Sequence, residues 1–411
     1  MQLILLSLTQ TAFAAPAYDD GGFVLKAPAT GQFVGGVSAP TVEWSPDDAQ
    51  YVMFFESPAL SADIPGDCNA YYTIGRATSP DGKAWTIDEA PVIEPENGTA
   101  GSNRKCVVSQ PAVVYDGTTW HMIFSQAKEK DSKGATQLGG LAYATSPDSV
   151  HWTVQSDPAV PAATRQGLAS VTLKDGVLIV TYAQFPNMMV AWRDLGHGGG
   201  WNIEAAPVID HGTVGSWAAT WVFGPALTCS NTTAMPFSMT FGADDAANKR
   251  SLAIATSADG LTWTVDAEGP LSEGTLDYSK LNHWDILPLG DAGLDMWYSK
   301  TDESTNLKAI GYAHAGDTTG SPGGRACMDE EVDTGTIDTG PTDSGDADTD
   351  TDADTDADTD ADTDADADAD ADDSGIKTTD DGCGCATGTD PASLLPSLAV
   401  LALLRRRRNA R

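Results

Sequence analysis

Two carboxylates at the ends of apolar runs are candidates for acid–base chemistry. Glu56 follows the apolar run at 51–55, and Asp285 lies in the run that starts at Trp284. Glycoside hydrolysis normally uses two carboxyl groups that flank the bond, about 5–10 Å apart. Glu56 and Asp285 could form such a pair, and the alternative for each is a loop or turn role.

Amide and aromatic side chains lie at the ends of other apolar runs in the chain. Amides hydrogen-bond to sugar hydroxyls and aromatic rings stack on sugar faces, so the set suits a carbohydrate ligand. His283 could instead be a hydrogen-bonded structural histidine, and Trp217 and Trp221 could be buried packing residues. The candidate binding residues are Arg104, Gln110, Gln126, Gln166, Gln184, Trp217, Trp221, Asp244, His283 and Trp284.

A ten-residue turn recurs along the chain. Residues 77–86, 144–153 and 255–264 each begin with Ala-Thr-Ser, carry Asp at the fifth position and end in Trp-Thr. A fourth, less similar copy of this turn ends at Trp201. Self-similarity on this scale indicates a repeat architecture.

Each turn follows apolar and aromatic segments with strand character. In several units an Asp-Gly turn joins two of these segments, which is a hairpin signal. Five such units cover about residues 38–315, which predicts an all-β, five-bladed propeller over residues 22–316. We expect the short strand at 22–26 to complete the fifth blade, because an open blade edge promotes aggregation.

Four of the six cysteines lie in or beside the predicted propeller. In an oxidising compartment these four would pair. We predict Cys68–Cys106, joining the long loop of blade one to the start of blade two, and Cys229–Cys327, tying the end of the fold to blade four. Four cysteines permit three pairings, and free buried thiols are the alternative.

The chain is strongly acidic. It holds 59 Asp and Glu against 23 Lys and Arg, for a net charge of −36. Such a surface repels nucleic acid and anionic membranes. We therefore expect no nucleic-acid partner, and membrane contact only through a C-terminal anchor.

The segments that flank the propeller have compositions of their own. Residues 1–14 combine an apolar core with the small-x-small sequence Ala12-Phe-Ala14, which is typical of a secretory signal peptide; a buried first strand is the alternative. Residues 317–381 include a long alternation of Asp with Ala or Thr, which predicts a disordered, extended linker. A specific calcium site in this alternation would lack the turn glycine and closing glutamate.

The last segment, 382–411, has the pattern of a processing signal. Cys383 and Cys385 precede an apolar stretch that is shorter than the roughly 20 residues of a spanning helix, and an arginine cluster follows. The segment resembles the MYXO-CTERM surface-sorting signal of myxobacteria-like bacteria. The resemblance implies cleavage near these cysteines by a processing peptidase and attachment at the bacterial outer surface. A plain tail anchor is the alternative.

Blades one and two resemble a known glycosidase group. Ala39-Pro-Thr-Val, followed by Tyr51-Val-Met-Phe-Phe-Glu56, resembles the opening of family-43 glycosidases, and Gln110-Pro-Ala-Val resembles their second-blade segment. Over residues 22–315 the chain is similar to the five-bladed propellers of the arabinanase, levansucrase and invertase superfamily. This resemblance implies an Asp base, a helper Asp and a Glu acid in the first three blades.

The positions that match these three acids carry no carboxylate. The base position falls on Ala39, the helper on Ala112 and the acid near Gln166. Neither alanine nor glutamine exchanges a proton, so the family mechanism is not expected to operate. Trp192-Arg193-Asp194 resembles the Arg-Asp-Pro of invertases but falls at the repeated outer turn, which favours a structural role.

These observations favour a secreted, surface-anchored carbohydrate-binding propeller without catalysis. An active glycoside hydrolase of plant or microbial polysaccharide, with relocated carboxylates, is one alternative. A structural or adhesive surface protein is another. No cofactor is expected, and a structural Ca²⁺ or Na⁺ near the propeller axis is left open.

Overall fold

The computed structural model of the chain describes residues 17–96, 102–229, 235–267, 269–289, 293–316 and 320–327. Short strands make up most of the described residues. In chain order they are β1 (Asp19–Leu25), β2 (Ser38–Ser45), β3 (Gln50–Pro58), β4 (Tyr72–Ser79), β5 (Thr86–Ile87), β6 (Val107–Tyr115), β7 (Trp120–Lys130), β8 (Thr136–Ser146), β9 (Thr153–Val154), β10 (Gln166–Lys174), β11 (Val177–Gln184), β12 (Asn187–Asp194), β13 (Asn202–Ile203), β14 (Trp221–Cys229), β15 (Phe237–Asp244), β16 (Arg250–Ser257), β17 (Thr264–Val265), β18 (Trp284–Leu289), β19 (Gly293–Asp302), β20 (Leu307–Gly316) and β21 (Ala326–Cys327). The described helices are α1 (His211–Val214) and the 3₁₀ turns Ser216–Ala218 and Tyr278–Lys280.

Antiparallel pairing groups β1–β20 into five units, here called blades one to five, and one parallel pair, Tyr72 with Val107, joins blades one and two. Blade one contains β2–β5, blade two β6–β9, blade three β10–β13 and blade four β14–β17, while blade five contains β18, β19, β20 and β1. The first strands contact one another in a closed ring, in the order β2, β6, β10, β14, β18 and back to β2. The prediction of an all-β propeller is confirmed. As expected, the N-terminal strand completes blade five by pairing with β20.

The second strand of blade one shows why these runs are apolar on both faces. Val52, Met53, Phe54 and Phe55 are all fully buried. Met53 and Phe55 belong to the core shared with blade five, whereas Val52 and Phe54 belong to the core shared with blade two. Successive side chains of a strand point to opposite faces, so a strand packed between two blades needs no polar face.

The recurring turn is held by hydrogen bonds among its own residues. In the first copy, Asp81 Oδ1 accepts from two backbone N–H groups of the turn, at 2.8 and 2.9 Å, and Trp85 Nε1 donates to the Gly82 carbonyl at 2.9 Å. That carbonyl also accepts from Trp297 Nε1 of blade five at 2.8 Å, and Gly82 has a φ of +70°. The turn therefore joins neighbouring blades, and its left-handed φ favours glycine at this point, although the second copy has Ser149 there with a φ of 64°.

Residues 320–327, here called the strap, bring the end of the described chain back into the fold. Their strand β21 pairs in parallel with β10, and Arg325 is fully buried. The Thr172 hydroxyl of β10 donates to the Arg325 carbonyl. The sequence predicts that the linker begins at 317, whereas the structure places the strap within the folded unit.

Both predicted disulfides are confirmed. Cys68–Cys106 joins the loop after β3 to the segment before β6, with Cα atoms 5.6 Å apart. Cys229–Cys327 joins the end of β14 in blade four to the strap, with Cα atoms 5.4 Å apart.

Several predicted segments lie outside the described residues. They are the signal peptide at 1–14, the greater part of the linker at 317–381, and the sorting segment at 382–411 with Cys383 and Cys385. In the part of the chain that the structure describes, no helix has the length and apolar character needed to cross a membrane.

Candidate functional site

In blades one to four, the first strand of each blade has a bulge at the same point, at the propeller axis. There Ala39, Gln110, Leu168 and Gly224 have φ values of 48°, 53°, 52° and 58°, and the strand register slips. For the three that are not glycine, a left-handed backbone costs about 1–2 kcal/mol each. Strained backbone concentrates at functional sites. With Trp284 of blade five, these residues surround one depression, here called the axial mouth.

The axial mouth is shallow. Its free volume is about 30 Å³, room for roughly one water molecule. Pockets that enclose a small ligand usually measure about 300–1,000 Å³. A saccharide can therefore lie across the mouth but cannot be enclosed by it.

Gln110 connects three blades at the mouth. Its Oε1 accepts hydrogen bonds from the Ser125 hydroxyl at 3.0 Å and the Leu168 N–H at 3.1 Å. The amide nitrogen consequently faces Nε2 of His283, at 3.4 Å. Because an amide nitrogen only donates, Nε2 of a neutral His283 accepts and the ring proton is on Nδ1.

His283 is held neutral. Burial lowers its pKa to about 3, and the charges of Lys308 and Arg250 act in the same direction. Among the described residues its Nδ1 has no hydrogen-bond partner, and neither have Trp284 Nε1 or the amide atoms of Gln166. A buried polar group without a partner costs about 1–3 kcal/mol. A buried water molecule would satisfy groups of this kind.

Acid should destabilise the protein through His283. Its pKa of about 3 in the fold lies below the ordinary 6.5, so below pH 6.5 the unfolded chain takes up the proton first. Stability is lost as the pH falls from about 6.5 to 3, at up to about 1.4 kcal/mol per pH unit. Urea denaturation at pH 7, 6 and 5 measures the slope.

Two histidine variants test whether His283 causes this slope, one at His283 and one at an exposed control position. His283→Gln should flatten it, whereas His151→Gln, at an exposed histidine, should leave it unchanged. Equal slopes for the wild type and H283Q would contradict the assignment.

Glu56, at the end of β3, lies buried next to Gln110 of the mouth. Its Oε1 accepts from the Ser38 hydroxyl at 2.8 Å and its Oε2 from the Gln110 N–H at 3.2 Å. Burial raises its pKa, against the effect of these hydrogen bonds and of Lys308. Lys308, whose pKa burial lowers, interacts with Glu56 electrostatically, although their charged atoms are more than 4.0 Å apart. The two groups therefore interact electrostatically without forming an ion pair.

Asp285, the other predicted catalytic carboxylate, belongs to a buried ion pair. It accepts from the Val42 N–H at 2.6 Å and pairs with the guanidinium of Arg325. Glu56 shares none of these partners. The buried ion pair with Arg325 and the bond from Val42 account for Asp285 as a structural residue.

Two of the predicted binding residues, Trp217 and Asp244, are tied into blade four. Asp244 pairs with Arg250 at 3.0 Å and accepts from Trp221 Nε1 at 2.9 Å. Trp217 packs on Phe241, with ring centroids 6.2 Å apart. Trp221 starts β14 and, like Trp217, is partly exposed, so both tryptophans keep surface for a ligand.

The remaining predicted residues lie in blades two and three. Gln126 is buried and donates to a backbone carbonyl at 3.0 Å. Gln184, at the end of β11, pairs in register with Gln166. Arg104, in the loop before β6, is ion-paired with Glu96. The structure therefore brings Gln110, His283, Trp284 and Glu56 together at the mouth and engages Arg104 and Gln126 elsewhere.

Sequence reasoning missed Ser38 and Lys308. The charge of Lys308 acts on Glu56 and on His283 of the mouth. Its carbonyl accepts from the Val37 N–H at 3.0 Å, and no local pattern marks a contact between the two ends of the fold. The bulges did leave a signal. Proline follows the bulged residue in three of the four first strands, at Pro40, Pro111 and Pro225.

Among the described residues, no group of three or more His, Cys, Asp or Glu side chains is placed to hold a metal ion. The guanidinium of Arg325 pairs with Asp285, and the backbone N–H of Arg325 donates to Glu43.

Comparisons with known proteins agree with the fold. No protein-family model and no curated protein matches the chain. A solved structure from the GH130 family of mannoside phosphorylases, which contains glycoside hydrolases that target β-1,2 mannosidic linkages in Candida mannan, aligns with a TM-score of 0.55 at 14% identity over 75% of this chain and 98% of its own. A glycosyl hydrolase from Bacteroides ovatus aligns with a TM-score of 0.52 at 13% identity, over 75% of this chain and 97% of its own.

A third structure extends this likeness. A family 117 glycoside hydrolase from the marine bacterium Zobellia galactanivorans aligns with a TM-score of 0.51 at 11% identity, over 74% of this chain and 91% of its own. At these identities the likeness shows the fold alone. The chain has the β-propeller fold of these glycoside hydrolases.

Proposed function

We propose that the protein is a carbohydrate-binding propeller that holds a saccharide across its axial mouth without hydrolysing it. The residues at the four bulges carry this proposal. They are Ala39, Gln110, Leu168 and Gly224, and none has a side chain that exchanges a proton at neutral pH. The fold shared with glycoside hydrolases supports a saccharide as the ligand class.

The polar groups at the mouth suit a ligand that both donates and accepts hydrogen bonds. Glu56 accepts and Lys308 donates, and the two interact electrostatically without forming an ion pair, so neighbouring sugar hydroxyls could bond to both. Trp284 adds a buried N–H without a partner among the described residues. Sugar hydroxyls meet all of these requirements.

Hydrolysis is the second candidate function, and the pKa of Glu56 favours it. Burial raises that pKa, as a general acid requires. The mechanism also needs a second free carboxylate. Asp285 is paired with Arg325 and Asp244 with Arg250, so neither supplies one.

Replacing Lys308 by methionine should weaken glycan binding at least 10-fold. The variant removes the cationic donor and keeps the apolar stem, so a hydroxyl at the mouth loses a charge-assisted hydrogen bond worth about 1.5–3 kcal/mol. Calorimetric titration of the best binder from a glycan array measures the change. Lys280→Met, at an exposed lysine, is the matched control.

Product analysis separates the two candidate functions. The wild type should leave every bound glycan intact. Hydrolysis that Glu56→Gln abolishes would replace the binding proposal with the enzymatic one. Equal affinities of the K308M and K280M variants would show that the mouth is not the binding site.

We also propose that the protein is exported and attached to the cell surface through residues 382–411. The two disulfides of the described unit support an oxidising compartment. Serine at Cys383 and Cys385 should block processing, which cell fractionation with an antibody to the propeller measures. Protein found in the cytoplasm with reduced thiols would contradict this proposal.

A further inference from the structure

A groove between blades three and four is much larger than the axial mouth. Its volume is about 360 Å³. It lies at the opposite end of β10 from the mouth, because Gln166 starts this strand at the mouth and Lys174 ends it at the groove. We call it the side groove. Its lining includes Lys174, Asp175, Ile179, Trp192, Phe237 and Asp259.

Trp192 is a point where blade three departs from the repeat. In the third strands of blades one, two and four the residue in this register is threonine, namely Thr78, Thr145 and Thr256, and each pairs with the first residue of a two-residue fourth strand. Trp192 has the same pairing. Trp192 therefore places an aromatic surface in the side groove. Blades one, two and four have threonine at the equivalent position.

The indole of Trp192 is partly exposed and fixed in position. Its Nε1 donates to Glu204 Oε1 at 3.3 Å, and it packs against the core shared by blades three and four. A rigid aromatic surface costs little conformational entropy when a ligand stacks on it. The apolar C–H face of a pyranose ring matches such a surface.

Charge complementarity restricts the class of sugar. The rim carries the carboxylates of Asp175 and Asp259 and the ammonium group of Lys174, which leaves a net negative charge. Lys174 and Asp175 are 3.6 Å apart, so part of the cation is already balanced. Carboxylates accept hydrogen bonds from hydroxyls and repel uronates and sulfated sugars.

We propose that the side groove is a second glycan-binding site, which takes a neutral pyranose with Trp192 as its stacking platform. Its volume lies within the range of small-ligand pockets, about 300–1,000 Å³. The side groove shares no lining residue with the axial mouth. This site therefore stands or falls independently of the proposed function.

Variants of Trp192 test the proposal on an array of neutral and uronate-containing oligosaccharides. Trp192→Thr gives blade three the residue of the other repeats, and thermal unfolding checks that it folds. At least one neutral glycan should bind W192T about 10-fold more weakly than the wild type, and Trp192→Phe, which keeps an aromatic ring, should retain most of the affinity. Uronate-containing glycans should give no signal that depends on Trp192.

The proposal is overturned if no neutral glycan binds the wild type, or if each binds W192T as tightly. The K308M variant distinguishes the two sites. Binding that K308M weakens and W192T does not belongs to the axial mouth alone, which would count against the side groove. The reverse pattern would support the side groove and count against the mouth.

Discussion

Replacing Arg325 by methionine is expected to lower the free energy of unfolding by about 3–5 kcal/mol, because a buried carboxylate then loses its partner. The guanidinium pairs with Asp285 and donates to the carbonyls of Val42 and Ile286, each at 3.3 Å. Burial raises the pKa of Glu43 to about 8, so near neutral pH Asp285 is the charge that Arg325 mainly balances. Urea denaturation measures the loss.

Two further variants identify the cause of that loss. Combining Arg325→Met with Asp285→Asn removes both charges and should recover part of the stability. Lys280→Met breaks an exposed ion pair with Asp277, at 3.4 Å, and should cost less than about 1 kcal/mol. Similar losses for R325M and K280M would show that the buried pair does not hold the strap.

Removing the Cys229–Cys327 disulfide, with serine at both positions, should cost about 4–5 kcal/mol. The two residues are separated by 98 positions, and the chain-entropy model gives about 4.7 kcal/mol for a loop near 100 residues. Cys68 and Cys106 are separated by 38 positions, so their removal should cost about 0.8 kcal/mol less. Unfolding of the two double-serine variants measures the difference, and a larger loss at Cys68–Cys106 would contradict this ranking.

The two large effects should not add. Arg325 and Cys327 belong to the same strap, so freeing one end weakens the contacts of the other. In the background without the Cys229–Cys327 bond, R325M should therefore cost less than in the wild type. Full additivity would mean that the guanidinium and the disulfide hold the fold independently.

Local patterns predicted most of the fold because most of its turns are held locally. The bonds of Asp81 and Trp85 join residues within a few positions of each other, so the repeat is visible in the sequence. The second strands are apolar because both of their faces pack against neighbouring blades. The disulfide pairs were one choice among three, and following the order of the blades selected the correct one.

Long-range contacts explain what the sequence did not reveal at the candidate site. Asp285 has the type and position of a catalytic carboxylate, but its partner Arg325 lies in a stretch with the composition of a loop. Lys308 reaches the mouth only through closure of the ring against blade one. The sequence shows tryptophan at position 192, where other repeats have threonine. Only the structure shows that Trp192 lines a groove.

The most direct test of carbohydrate binding without hydrolysis is a crystal structure of the protein with the glycan that binds most tightly. We predict a saccharide across the axial mouth, with hydroxyl oxygens within hydrogen-bonding distance of Glu56 and Lys308 and its glycosidic bonds intact. Occupation of the side groove in the same crystals would be compatible with this result. A cleaved glycan at the mouth, or a mouth left empty while ligand is bound elsewhere, would contradict the central claim.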